Sequence, residues 1–269
     1  MKVGIVICLI LFISSCNYSF TLSKKNYAVN TSFITGTEFY KLANTYNWKQ
    51  RDSFALSQLL QRKFPDFFSR FVPINSTIVN ANGETITATF YVSQDYVSIG
   101  TNEDWARVPL TPKTAQIIAD SFDCFLPTPK LVDLIYSKAK VKLEPQPMYI
   151  YRDSSITMWQ HHLVIEGQRK NRKGLIAGIK KDVVLTPKLL QPKYANKVAI
   201  YGWHKLDGKP IQPLYTGHVN WYVDYSHGIR LIHKKVKVNN QWMRYEQIMQ
   251  DSIMKHLICE EDSCTFLRY

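Results

Sequence analysis

Three consecutive charges, Lys180-Lys181-Asp182, interrupt a run that is otherwise apolar from Leu175 to Leu185. Residues 174–185 read as a strand, and a strand sends successive side chains to opposite faces. A strand with this centre must either bulge or open one face onto a polar cleft, because an unpaired buried charge is too costly to keep. The fold must therefore supply partners for those charges. Residues able to do so, and to do chemistry beside them, are concentrated a little further along.

Residues 201–232 hold three of the chain's seven histidines, His204, His218 and His227, together with Asp224, Ser226, Arg230 and several aromatics. A metal-free acid/base centre needs a histidine near neutral pKa and a partner. His227 is the expected base, with Asp224 or Asp182 orienting it, and Ser226 is a candidate nucleophile. Adjacent strand residues such as Ser226 and His227 face opposite ways, however. Tyr222 or Tyr225 would protonate a leaving group, as in Tyr/His polysaccharide lyases. Arg230 and Lys181 are expected to bind a carboxylate or an oxyanion. Trp203, Trp221, Tyr201 and Tyr215, with Tyr225 beside them, offer a wall on which a sugar ring can stack. Zinc is the alternative cofactor, since His204, His218, Asp224 and His227 are ligands of the type it takes. No helical His-Glu-x-x-His is present.

The run Ser226-His227-Gly228-Ile229-Arg230-Leu231 resembles the Ser-His-Gly-Cys-Ile-Arg signature of the L,D-transpeptidases. Gly228 is followed directly by Ile229, so the family's nucleophilic Cys has no counterpart here. What the resemblance implies is a strand-loop geometry that places a His and an Arg in one cleft. A broader likeness, to a family of exported, uncharacterised bacterial proteins, is carried by four segments. These are residues 100–110, Leu126-Pro127-Thr128-Pro129-Lys130-Leu131-Val132-Asp133, Lys180-Lys181-Asp182-Val183-Val184 and Tyr222-Val223-Asp224-Tyr225-Ser226-His227-Gly228. That likeness implies one folded unit and no particular activity.

The N-terminus reads as an address. Met1-Lys2 is a short basic head, Val3 to Ile13 is apolar, and Ile13-Ser14-Ser15-Cys16 resembles the bacterial lipobox. Residues 1–15 are expected to be a signal peptide and Cys16 the lipidated first residue of the mature chain. The polar segment 16–32 would be a tether, and residues 33–269 a single domain. The expected location is an exported, membrane-anchored lipoprotein, periplasmic or on the outer surface. The formal charge of +13 draws such a protein to anionic envelope polymers and glycans. Nucleic acid is not expected as a partner, because export separates the two. Cys259 and Cys264 are spaced to close a small disulfide loop in an oxidising compartment, leaving Cys124 at a joint between helices.

Patterning elsewhere predicts helices over 38–43, with Thr37 as cap, and over 53–63, stopped by Pro65. Alternation over 76–97 around Asn80-Ala81-Asn82-Gly83 predicts a β-hairpin and a following strand. Thr111-Pro112 and Thr128-Pro129 start two more helices. A helix over 155–169 places His162 and Glu166 on one face. Strands follow at 198–203 and 228–238, and a helix at 245–258. The expected class is α+β, a helical N-terminal half packed on a mainly antiparallel sheet from the C-terminal half. The expected function is an envelope-anchored enzyme that hydrolyses or transfers bonds in peptidoglycan or another extracellular polymer. The alternatives are a non-catalytic glycan- or wall-binding lipoprotein, and a polysaccharide lyase acting on an acidic glycan.

Overall fold

A computed structural model describes Thr21, residues 34–261 and residues 263–269. The expected signal peptide, Cys16 and most of the tether lie outside the described residues. The class is α+β, with largely antiparallel sheets.

The chain opens with α1 (Gly36–Ala43) and α2 (Trp48–Leu60). Both start on capping boxes. The Thr35 hydroxyl accepts from Glu38 N, and Asn47 accepts from Gln50 N. Thr35 therefore holds the role expected of Thr37. Asn47 starts α2 five residues before the expected position, because its side chain satisfies an amide that would otherwise be orphaned. Then come β1 (Phe71–Val79) and β2 (Thr85–Ser93), paired with Phe71 opposite Ser93 and Val79 opposite Thr85. Their turn is held by Asn80 Oδ1, which accepts from Asn82 N and Glu84 N.

The short pair β3 (Ser98–Gly100) and β4 (Trp105–Arg107) leads to α3 (Pro112–Ser121), β5 (Cys124–Phe125) and α4 (Pro129–Lys138). Next are β6 (Val141–Lys142), α5 (Ser155–Arg169), β7 (Ile176–Ala177) and β8 (Lys181–Val183). The strand expected over 174–185 is thus two strands. Gly178, at φ +89, turns the chain between them, in a region of backbone space that favours glycine.

The remaining elements are β9 (Ile200–His204), β10 (Pro210–Tyr215), β11 (His227–Gly228), β12 (Ile232–His233), β13 (Lys235–Val238), β14 (Gln241–Arg244) and α6 (Tyr245–Gln250). The single strand expected over 228–238 is split because the chain crosses here from one sheet to another. β11 belongs to the four-stranded sheet β10-β9-β8-β11, whereas β12 and β13 join β14, β2, β5 and β1 in the larger one. The helix expected over 245–258 ends at Asp251. Its side chain accepts from the amides of Ile253 and Met254, and a 3-10 turn follows.

Two cores result. Ile74, Phe90, Val92 and Ile232 of the larger sheet pack with Leu131 and Ile135 of α4 and Ile248 of α6. Each such fully buried side chain contributes about 1.5–3 kcal/mol. The other core joins Phe39, Leu59 and Ile118 of the early helices to Val183, Ile200, Tyr225 and Ile229 of the four-stranded sheet and its borders. Cys259 and Cys264 form a disulfide, and Cys124 is a buried free thiol in β5. No described helix is long and apolar enough to cross a membrane.

Gly228 sits where the two sheets meet. A Cβ there would lie 2.5 Å from Tyr96 Cδ1 and 2.6 Å from Lys180 Cβ, whereas one on Gly167 in α5 would meet nothing within 4 Å. Gly228→Ala is expected to cost about 1–3 kcal/mol by overpacking and to lower the melting temperature by several degrees. Gly167→Ala should stabilise the helix by about 0.5–1 kcal/mol. Thermal melts of the two variants should therefore move in opposite directions.

Candidate functional site

β11 runs parallel to β8, placing His227 opposite Lys181 and Gly228 opposite Asp182. The approach to β11 is shaped by Asp224. One carboxylate oxygen, Oδ1, accepts from Ser226 N at 2.8 Å and from Ser226 Oγ at 2.5 Å, and the Asp224 carbonyl accepts from His227 N. The other, Oδ2, is 2.7 Å from Arg152 Nη2 and 3.4 Å from the Tyr222 hydroxyl. Asp224 is fully buried. Burial acts to raise its pKa, but His227, the Ser226 hydroxyl and amide, and Lys181 outweigh it and hold the carboxyl below the ordinary range.

His227 is also buried, at 1% exposure, and neither ring nitrogen has a hydrogen-bond partner among the described residues. Its Nε2 is 3.9 Å from Asp224 Oδ1, too far for a hydrogen bond. Burial, against the pull of Asp224, brings its pKa down to about 4, so the ring is neutral at neutral pH. His218 and Tyr222 complete the cluster. Each ring centre is 6.0 Å from that of His227, and the two are 4.6 Å apart. Burial and then Asp224 push the Tyr222 phenol up to about 12, and burial lowers the His218 pKa.

Lys181 closes one side, its ammonium 5.1 Å from the Trp203 ring centre. Burial lowers its pKa. The adjacent Lys180 points elsewhere. Its Nζ donates to the Tyr225 carbonyl and lies 3.2 Å from His161 Nδ1, and burial followed by Arg107 brings its pKa to about 7. The charged run is thus divided among separate partners. Asp182 accepts from the Tyr96 hydroxyl at 2.9 Å, and burial raises it to about 6.

His218, Asp224, His227 and Lys181 come together as expected, and other expected site residues do not. His204 faces α4, where its Nε2 is 2.7 Å from Asp133 Oδ1 and its ring stacks on Tyr136 at 4.5 Å. The structure therefore does not assemble the expected His204, His218 and His227 zinc triad, and no group of three His, Cys, Asp or Glu among the described residues is arranged to hold a metal. Arg230 is committed to structure. It donates to the carbonyls of Ser93 at 3.0 Å and Ile176 at 2.7 Å, lies over the Tyr96 ring and is 0% exposed, so it presents nothing to an anion.

Among the aromatics, Tyr225 is interior, its hydroxyl accepting from Met148 N at 2.6 Å, and Trp203 is buried beneath Lys181. Neither is open to stacking. Trp221 is 48% exposed and borders a separate cavity with Tyr222. On α5, His161 rather than His162 faces this region. His162 and Glu166 both meet Arg107. Arg152 escaped the sequence reading altogether, because its ion pair spans 72 positions and no local pattern announces it.

Compared with protein-family models, with curated proteins and with solved structures, the chain matches none.

The buried histidines set a pH dependence. A histidine held neutral in the fold at about 4, against 6.5 when exposed, contributes stability that is present above 6.5 and lost as pH falls towards 4. His161 and His162, also lowered well below 6.5 by burial, act in the same direction. Asp182 opposes them, since a carboxyl raised to about 6 favours the fold at low pH and loses that contribution as pH rises through 6. His218 and His233, also lowered by burial, join the imidazoles, and Asp52, raised by burial, joins Asp182; five imidazoles against two carboxyls leave the unfolding free energy falling between pH 6.5 and 4. His227→Gln should flatten that slope by at most about 1.4 kcal/mol per pH unit. Chemical denaturation across that window measures both.

Proposed function

We propose that the chain is an acid/base enzyme that hydrolyses or transfers bonds in an anionic envelope or extracellular polymer, with peptidoglycan the first candidate. The observation that carries this reading is His227, buried beside Asp224, His218 and Tyr222 with both ring nitrogens uncommitted. An unsatisfied buried polar group costs about 1–3 kcal/mol, and a water admitted past the half-buried His218 and Tyr222 would supply the partner and account for its retention. Strongly shifted groups gathered beside a specific charge partner favour a working site over a structural one.

In this reading neutral His227 takes the proton from an attacking water or acceptor hydroxyl. Asp224 stabilises the imidazolium that forms. Tyr222 is protonated at neutral pH and hands a proton to the departing atom; His227 then returns a proton to Tyr222. Ser226 is not the nucleophile, because its hydroxyl donates to Asp224. Cys124 does not take that role either, being buried in the larger sheet. Lys181 and Arg152 supply positive charge for anionic groups on the polymer, in keeping with the net charge of +13. Attachment to the membrane through Cys16 would hold the enzyme against its substrate.

Purified peptidoglycan and acidic polysaccharides, digested and followed by mass spectrometry for new ends, test the activity. His227→Ala is expected to lose about 100-fold or more, whereas His204→Ala, whose ring meets Asp133 and Tyr136 of α4 and Tyr201 of β9, should keep activity within a few-fold. Full activity in His227→Ala would sink the assignment. Cys16→Ser should move the expressed protein from the membrane fraction to the soluble one; if it stays with the membrane, the anchor is wrong.

A further inference from the structure

A cavity of about 480 Å³ lies beside the His227 cluster and shares Tyr222 with it. Its walls carry aromatic rings from two distant parts of the chain, Tyr46 and Trp48 at the head of α2, and Trp221 and Tyr222 from the loop before β11. Trp48 is 42% exposed and Trp221 48%, so these are faces open to a ligand rather than core. Asp153, at the start of α5, lines the rim.

Arg51 also lines this cavity, and its side chain is only 3% exposed. Nη1 donates to the Asp153 carbonyl at 3.3 Å, but Nε and Nη2 have no hydrogen-bond partner among the described residues. The neighbouring Asp52 supplies the nearest opposite charge but no hydrogen bond, and its Oδ1 is itself without a hydrogen-bond partner among the described residues. Its nearest oxygen is 3.9 Å from Arg51 Nε, and its other oxygen is taken by the Thr111 amide and hydroxyl. A buried guanidinium left this way is costly until an acceptor arrives. The N-termini of α2, with 13 residues, and α5, with 15, border the same space and add positive potential.

Open aromatic faces suit the apolar face of a sugar ring, and a carboxylate matches the two free guanidinium nitrogens in a way a neutral sugar does not. The Asp153 carboxylate supplies an acceptor for hydroxyls, which a simple phosphate site would not need. A volume of this size accommodates a small ligand of one or two rings. We propose that this cavity is a subsite for a carboxylated sugar residue of a glycan, seated on Trp48 and Trp221 with its carboxylate directed to Arg51. The inference rests on the proposed polymer-directed activity for its biological meaning, but binding can be measured without turnover.

Titration calorimetry and tryptophan fluorescence on the full chain provide the test, with D-glucuronate and N-acetylmuramate as probes and D-glucose and N-acetylglucosamine as their neutral counterparts. The carboxylated sugars should bind at least tenfold more tightly than the neutral ones. Arg51→Gln should erase that preference, and Trp221→Ala, on the exposed wall, should weaken both classes while leaving the melting temperature within a degree or two. If Arg51→Gln does not fold, Trp221→Ala and the neutral counterparts still decide the matter. Equal binding of acidic and neutral sugars would overturn the role of Arg51. Acetate or inorganic phosphate binding as tightly as the sugars would reduce the cavity to an anion site and overturn the sugar assignment. No binding of any probe to folded protein overturns the whole. Selective binding without turnover of any polymer would leave the subsite standing and remove the proposed activity, whereas turnover without binding here would do the reverse.

Discussion

The rest of the structure is organised around one buried ion pair. Arg107, at the end of β4, donates from Nε to Asp95 Oδ1 at 2.8 Å and from Nη2 to Oδ2 at 2.7 Å, and both residues are almost wholly buried. Nη2 also reaches Glu166 on α5 at 2.7 Å. Burial favours a neutral Asp95, but Arg107 outweighs it and keeps the carboxyl below its ordinary range. A buried pair seldom adds net stability, since desolvation consumes most of the attraction. Removing one partner costs about 3–5 kcal/mol, however, because the other charge is stranded. The pair therefore specifies arrangement. It fixes the loop after β2, the short β3–β4 pair and the long helix α5 relative to one another, and the Tyr40 hydroxyl ties α1 to the same point through the Arg107 carbonyl.

Once α5 is fixed, its inward face determines what can stand next to it. His161 meets Lys180 and the Tyr225 ring, and so backs the strand that carries Lys181. Arg230 performs the matching task on the other side. It satisfies carbonyls of Ser93 and Ile176 and stacks on Tyr96, which holds Asp182. The seam between the two sheets is thus filled with charges that are individually expensive to bury and largely partnered, with only His161 Nε2 and Arg230 Nε left over among these groups. His227 lies at the edge of this seam, and it is the buried ring of the Asp224 cluster with neither nitrogen hydrogen-bonded. Each of those neighbours keeps at least one partner for its charged end, whereas His227 keeps none, and that difference marks it as the candidate site.

The site is also assembled from parts of different reach. Asp224, Ser226 and His227 form a local turn whose hydrogen bonds span two or three positions. Arg152 arrives from the start of α5 and Lys181 from β8. Trp48 and Arg51 come from the far N-terminal side to wall the adjoining cavity. A local turn can place a histidine and its carboxylate, but the charge beside them and the walls of the adjoining cavity require the long-range packing of α2 and α5.

Several features were legible in the sequence because they depend on neighbours. Alternation over 76–97 and the Asn80 turn specify a hairpin, and Thr128 caps α4 with its own side chain. The α+β class and the grouping of His218, Asp224 and His227 within a dozen residues belong here too. The helix expected to run to Lys63 and stop at Pro65 ends instead at Leu60. The three-charge run at 180–182 announced that a polar interior must exist. Only the tertiary structure decided how it is used. Lys180 turns to His161, Lys181 to Trp203, and Asp182 to Tyr96. His204 goes to Asp133 on α4 rather than to the other histidines, and Arg230 is absorbed by backbone carbonyls. The reason is that a polar side chain takes its character from whichever donor or acceptor the folded chain brings within about 3 Å. For these residues that partner lies tens of positions away, where local spacing carries no information about it.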